Sequence, residues 1–383
     1  METLKLNKIS TRHYWEHFLL VPDNLLKPLF YPRNIATDEQ KSLFKKFVCI
    51  VNIETSTYCN RKCSYCPVSL NDSRKNQVYM ADELFNKILG ELESIDYSST
   101  IVFNLYNEPL ADKNIYLKIK QVRKNLPHAF LMFNSNGDYV DSDSLNKLSE
   151  IGLNALFVTL HPPVNKPYQL DDRLKDFQKF FKKIGRNISQ SEIKRFPEKK
   201  IPGSLPERLM SLSNHVEGKF LQLPSTSSGN GIIFSGNHLS NPSENGHIET
   251  NLDWHGMRLR IMANNWLTYG NSRAGTINFL NASTTRTLPC ARPLRELTIS
   301  YNGNVFPCCQ FFPDSIENQK YIIDNLSSKS IFEIYASHTL AKWRKNLFTF
   351  GNKATPCDSC RDEDFSKQES WEIREAILKR LKI

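Results

Sequence analysis

Phe47-Val-Cys-Ile-Val-Asn-Ile-Glu54, followed by Thr55-Ser-Thr-Tyr-Cys59-Asn-Arg-Lys-Cys63-Ser-Tyr-Cys66, is the stretch from which the fold is read. Its first half is rich in β-branched residues and nearly continuously apolar, as a strand buried on both faces should be. Three thiols in C-x3-C-x2-C spacing then follow at the strand's carboxyl end. An odd local set cannot pair internally, so the spacing reads as metal ligation rather than a disulfide framework. Three ligands leave one position open on an iron–sulfur or zinc site. That suits reaction chemistry, whereas purely electron-carrying clusters usually have four thiolates.

Beyond the cysteines, helical and extended periodicities alternate. Helices are predicted over Asp82 to Ile95, Ile115 to Val122, Leu145 to Ile151 and Leu174 to Ile184. Strands are predicted between them at Thr100 to Tyr106, Ala129 to Phe133 and Ala155 to Leu160. This alternation argues an α/β fold with a parallel sheet and right-handed crossovers, barrel-like or doubly wound. Functional groups then belong at the carboxyl ends of the strands. Polar candidates stand there: the cysteine loop, Tyr106-Asn107-Glu108-Pro109, Asn134-Ser135-Asn136-Gly137 and His161-Pro162-Pro163.

A chain of 383 residues can hold one large domain and a smaller one. Residues 1–46 read as a helical extension interrupted by Pro22, Pro28 and Pro32, and residues 47–263 as the main domain. Within the latter, periodicity fades over 186–253, which reads as an insertion with one short strand at Gly231 to Ser235. A strand over Met257 to Met262 follows, with Arg258 and Arg260 on one face. Residues 264–365 form the expected second domain. At its centre Leu297–Ser300 and Val305–Pro307 flank an Asn302-Gly303 hairpin turn that leads into Cys308-Cys309. A helix over Ile331 to Leu347, the pair Cys357-x2-Cys360 and a C-terminal helix within 366–383 complete the chain.

The formal net charge of +10, from 50 Lys plus Arg against 40 Asp plus Glu, is compatible with an acidic substrate, a nucleic acid or an anionic cofactor. The charges are scattered, so a solvated basic surface is the plainer account and nucleic acid is not expected. No run of about 18 apolar residues and no basic leader with an apolar core is found, so a cytoplasmic protein without membrane contact is expected.

Cys59-x3-Cys63-x2-Cys66, with Tyr65 before the last cysteine, resembles the signature of the radical S-adenosylmethionine (SAM) superfamily. The resemblance implies a partial (β/α)6-type barrel whose three cysteines ligate a [4Fe–4S] cluster, with SAM chelating the fourth iron. One-electron cleavage of SAM would yield a 5′-deoxyadenosyl radical that abstracts a substrate hydrogen. Asn107-Glu108-Pro109 matches by position the family's Gly-Gly-Glu-Pro-like motif, which holds the methionyl amine, but Tyr-Asn stands where glycines are common. Tyr65, Ser135 and Asn136 fall where relatives contact SAM; a simple turn on Asn136-Gly137 is the competing account. His161 reads as a substrate contact or proton carrier, or as a packed histidine. Arg258 and Arg260 read as contacts to an anionic cofactor or substrate group, or as an exposed sheet face.

Cys290-x12-Gly303-x4-Cys308, later joined by Cys357-x2-Cys360, resembles the SPASM and twitch auxiliary-cluster domains. The resemblance implies a small C-terminal α+β domain with a second [4Fe–4S] cluster on Cys290, Cys308, Cys357 and Cys360; zinc competes for the same thiolates. No cysteine follows Cys360, which favours a shortened, twitch-like form. Cys309 reads as a hydrogen-atom donor, an alternative ligand or a packed thiol, and Cys49 as core. The leading function is oxidation, epimerisation or rearrangement of a small polar or acidic metabolite such as a sugar, cyclitol or nucleotide-linked sugar. Modification of a ribosomally made precursor peptide and a non-catalytic iron–sulfur or zinc scaffold are the alternatives. A reductant such as flavodoxin or ferredoxin is the expected partner.

Overall fold

The computed structural model describes residues 21–70, 74, 76–163, 168–196, 246–282, 284–361 and 368–382. Ten strands form one sheet: β1 (Ile50–Ile53), β2 (Thr100–Val102), β3 (Phe130–Ser135), β4 (Ala155–Thr159), β5 (Lys194–Phe196), β6 (His247–Trp254), β7 (Met257–Asn264), β8 (Glu296–Ile299), β9 (Asn304–Phe306) and β10 (Asp324–Asn325). Their order is β10-β9-β8-β1-β2-β3-β4-β7-β6-β5. The six central strands from β8 to β7 are mutually parallel, and the flanking ones are antiparallel. This is the expected partial barrel of parallel strands, carrying a C-terminal hairpin.

The sixth parallel strand is β8, which pairs with β1 from Ile50↔Glu296 to Ile53↔Ile299. The sheet therefore runs through the boundary expected at 263/264, and the hairpin is an extension of it. Asn52 Nδ2 donates to Thr298 Oγ1 across this pairing, 246 residues away in sequence. In the hairpin turn only Gly303 adopts a positive φ, 83°; Asn302 does not share it. Between β5 and β6 lie residues 197–245, outside the described residues together with the strand expected at 231–235. The ends of the expected insertion are ordered differently from a loop: β6 pairs with β7 along its whole length.

Helices cover the outer face of the parallel strands: α1 (Thr37–Phe47), α2 (Asp82–Glu93), α3 (Ile115–Asn125), α4 (Ser142–Glu150) and α5 (Leu170–Lys183). α1 takes Phe47 out of the expected first strand, because Leu43, Phe44 and Phe47 share one buried helical face. Phe44 meets the rings of Phe332 and Tyr335 at 5.4 Å each. Burying such a ring contributes roughly 1.5–3 kcal/mol. The single helix expected over 331–347 is two, α6 (Ile331–Tyr335) and α7 (His338–Phe348), because Ser337 breaks the run and caps the second by accepting from Leu340 N. Residues 1–20 of the expected N-terminal extension lie outside the described residues. Its remainder buries Leu26, Leu29 and Phe30, with Phe30 meeting the Phe348 ring at 5.2 Å and the Leu29 carbonyl accepting from Arg344 Nη1 at 3.2 Å.

Strand alternation divides the sheet into two faces. On β7, Met257, Leu259, Ile261 and Ala263 are buried toward the helices, while Arg258, Arg260, Met262 and Asn264 line the other, half-buried face. Register puts Ala155, Phe157 and Thr159 of β4 beside the arginines on that face.

Candidate active site and metal centres

The carboxyl ends of β1, β2 and β3 gather the cysteine loop, Glu108, Ser135 and Asn136. Glu108 is 2% exposed. Its Oε1 accepts from Ser135 Oγ at 2.9 Å and Leu110 N at 3.2 Å, and its Oε2 accepts from Asn136 N at 2.7 Å. Burial pushes its pKa up to about 7, against the pull of these bonds. Asn136 Nδ2 continues the chain to Asn60 Oδ1 at 2.7 Å and to Cys59 Sγ at 3.9 Å. The turn depends on Gly137, at φ 81°, where a Cβ would meet Val158 Cγ1 at 2.8 Å. Both readings of Asn136 therefore hold: it forms the turn and it faces the site.

Cys59 and Cys66 pack against a small apolar cluster of Val68, Tyr106 and Phe312. Burial pushes the Cys59 thiol up to about 11 and raises Cys63 and Cys66 as well. Thiols held neutral by burial ionise readily only when a cation arrives. Among the described residues no three His, Cys, Asp or Glu side chains converge on a single ion. A cubane spreads its thiolates over separate irons. Beside the triad, Asn107 Oδ1 accepts from Leu105 N, but its Nδ2 is buried without a partner among the described residues. An orphaned donor and buried thiols fit a polar cofactor at this position.

Tyr65 and His161 are brought together: the Tyr65 hydroxyl and His161 Nδ1 share a 2.7 Å hydrogen bond. Both rings stack on Trp266, at 5.1 Å and 5.9 Å. Burial, then the charge of Arg61, pushes the imidazole down to about 3, so it is neutral at pH 7. Arg61 in turn is clamped by Asp138 at 2.5 Å, and Asn60 donates to the same carboxylate at 2.7 Å.

The two arginines of β7 part company. Arg260 Nε donates to Glu249 Oε2 at 2.9 Å, and His247 Nε2 lies 2.9 Å from the same oxygen. Burial opposes ionisation of Glu249, but these partners hold its pKa down to about 2. Arg258 leans on Asn251 at the amino end of β7, six residues before Asn264. At roughly 3.3 Å per residue it stands about 20 Å from the strand ends. It is not among the groups gathered at the site.

Cys290, Cys308, Cys357 and Cys360 line one pocket together with Arg286 and Arg292. Cys360 Sγ accepts from Asn271 Nδ2 at 3.2 Å and Arg286 Nη1 at 3.5 Å. Burial raises Cys308 and Cys357 far above a free thiol. Four thiols lining one pocket, with donors on one of the sulfurs, fit a thiolate-ligated cluster. Cys309 is not among the residues lining that pocket, but its Sγ accepts at 3.4 Å from Nη1 of Arg292, which is. Cys49, half-buried against the core, donates to the Arg295 carbonyl at 3.4 Å.

Sequence reasoning missed the buried linkage between the two cysteine groups. Arg74 holds Glu54 through Nη1 at 2.8 Å and Nη2 at 3.3 Å, and Asp314 through Nε at 2.5 Å. Glu54 was visible only as a strand end. Its partners come from loops without periodicity.

Comparison with known proteins agrees with this arrangement. The radical SAM superfamily profile matches residues 53–199, and the SPASM iron–sulfur cluster-binding domain matches residues 290–362. The chain carries a radical SAM domain followed by a SPASM domain. These imply SAM with a [4Fe–4S] cluster, and further iron–sulfur at the C-terminal domain. Over 116 residues it is 33% identical to an S-adenosyl-L-methionine-dependent 2-deoxy-scyllo-inosamine dehydrogenase of Niallia circulans, covering 30% of this chain and 46% of that protein. The match thus spans less than half of the relative. In fold it is similar to BtrN in complex with AdoMet and 2-DOIA, with a TM-score of 0.52 at 18% identity over 82% of this chain and 93% of that one. Streptococcus suis SuiB bound to its precursor peptide SuiA shares 13% identity over 91% of this chain and 86% of that one, at a TM-score of 0.37. Among the described residues no helix is long and apolar enough to cross a membrane.

Proposed function

We propose that the chain is a radical SAM enzyme acting on a small polar metabolite of sugar or cyclitol type, with oxidation as the favoured outcome. The observation that carries the reading is the hydrogen-bond chain from Glu108 through Asn136 to Cys59, which joins an acidic amine-binding group to the metal-ligating loop. The similarity to a cyclitol dehydrogenase supports the substrate class and the oxidation. When bound, the cluster and SAM supply one-electron chemistry and a means of removing a hydrogen atom.

The chain's own residues do the rest. Cys59, Cys63 and Cys66 would hold the first cluster. Glu108, ionised in part at neutral pH, offers its carboxylate to an ammonium group, and Ser135 and the Asn136 amide fix its orientation. Asn107 Nδ2 is a donor awaiting an acceptor. Val68, Tyr106 and Phe312 keep water from the thiols. His161, neutral at pH 7, positions the Tyr65 hydroxyl and is poorly suited to carry a proton. Cys290, Cys308, Cys357 and Cys360 would hold the second cluster, an acceptor or relay for the electron released on oxidation. Nine cysteines, with no disulfide among the described residues, fit a reducing compartment such as the cytoplasm, where a flavodoxin or ferredoxin would be the electron donor.

The test is anaerobic incubation of the reconstituted chain with SAM and dithionite. 5′-Deoxyadenosine should form, and Cys59→Ala should abolish it. No product from the wild-type chain with its clusters assembled would overturn the reading.

A further inference from the structure

Beside the aromatic stack at the site, three side chains carry buried hydrogen-bond donors that no acceptor meets among the described residues. Arg173, in the first turn of α5 just after β4, is 3% exposed. Its Nη2 binds Asp176 Oδ2 at 3.0 Å, whereas Nε and Nη1 have no hydrogen-bond partner among the described residues. The Tyr168 hydroxyl and the Trp266 indole nitrogen are likewise buried and unpartnered. All three belong to one neighbourhood. Trp266 stacks on Tyr65 and His161. The charge of Arg173 acts on both His161 and Tyr168, and Tyr168 in turn feels Tyr269, which lies one helical turn after Trp266.

Buried polar groups are nearly always paired, and an unsatisfied guanidinium is among the costliest to leave. Two other arginines of this protein show that pairing. Arg344, equally buried, donates to the carbonyls of Pro293, Leu29 and Tyr335. Arg260 at the same barrel face is neutralised by Glu249. Unpaired donors beside the metal-ligating loop therefore mark a place for acceptors from outside the chain. Arg and Trp can only donate, so the incoming group needs several lone pairs, and a guanidinium favours one that is negatively charged.

We propose that Arg173, Tyr168 and Trp266 form a recognition subsite for an anionic group, a carboxylate or phosphate, carried by the substrate. The inference rests on the active-site reading above and narrows its substrate to an acidic metabolite. The carboxylate of SAM shares this chemistry, so the test separates the two sources. Inorganic phosphate is titrated calorimetrically into the reconstituted chain, with and without saturating SAM and without reductant. Phosphate should bind in the presence of SAM, about tenfold or more weakly in Arg173→Gln and several-fold more weakly in Tyr168→Phe, with SAM affinity unchanged in both. Tyr168→Phe removes a single hydroxyl and keeps the test decisive should Arg173→Gln misfold. Phosphate binding that is absent, or equal in wild type and Tyr168→Phe, overturns the proposal. So does a loss of SAM affinity in place of phosphate affinity, which would assign the donors to the cofactor. Binding is read without turnover, so failure to form 5′-deoxyadenosine counts against the proposed reaction alone.

Discussion

The Tyr106 hydroxyl donates a 2.8 Å hydrogen bond to the backbone carbonyl of Gln310, tying the segment that presents Glu108 to the loop that follows Cys308. The two cysteine groups are thereby held in one frame, with the Tyr106 ring packed against Phe312 at 5.1 Å.

Tyr106→Phe keeps that ring packing and removes the hydroxyl. The Gln310 carbonyl then loses a buried donor, and stability should fall by about 1–3 kcal/mol. Urea unfolding would show this as a lower midpoint at unchanged slope. An unchanged midpoint would mean that the bond contributes nothing.

Arg74→Met should be more damaging. It strands Glu54, which is fully buried, and breaks the contact to Asp314 on the far loop. Removing one partner of a buried pair costs about 3–5 kcal/mol. The double variant Glu54→Gln with Arg74→Met should recover much of this, because the fully buried carboxylate is no longer charged and Asp314 keeps the Tyr301 hydroxyl as a donor. Equal stability of the single and double variants would contradict the account.

Glu108 makes stability depend on pH. Its pKa is raised from 4.5 to about 7 by burial, so the folded protein binds this proton more tightly than the unfolded chain. The contribution is fully present below 4.5 and is lost as pH rises through about 7. For the cofactor-free protein it amounts to about 3 kcal/mol. Urea unfolding between pH 5 and 8 should show a decline with pH that Glu108→Gln removes. The same slope in both proteins would place the proton elsewhere.

Iron content tests the two metal centres separately. The anaerobically reconstituted chain should carry about eight irons, and Cys357→Ala about four. Cys59→Ala should also retain about four. Full iron in Cys357→Ala would remove Cys357 from the second centre.

Much of the site was legible because its signals are local. Cys59, Cys63 and Cys66 lie within eight residues, and Glu108, Ser135 and Asn136 each stand at or beyond the end of a strand whose apolar pattern is unmistakable. Strand ends in a parallel sheet converge by geometry, so their polar residues meet at one mouth. Helix and strand limits moved by a few residues where a cap or a neighbouring helix competed, as at Ser337 and Phe47.

By itself the sequence determined the alternation of strands and helices, the two cysteine groups and the acidic residue after β2, since each is written in residues adjacent along the chain. Only the tertiary structure decided that β8 lies beside β1, that Arg74 joins Glu54 to Asp314, that Arg258 stands away from the strand ends, and that Arg173, Tyr168 and Trp266 each keep a buried donor without an acceptor among the described residues. These relationships join segments that no local periodicity connects. Their partners are chosen by the packing of the whole sheet, where burial turns an ordinary arginine into either half of an ion pair or an open donor.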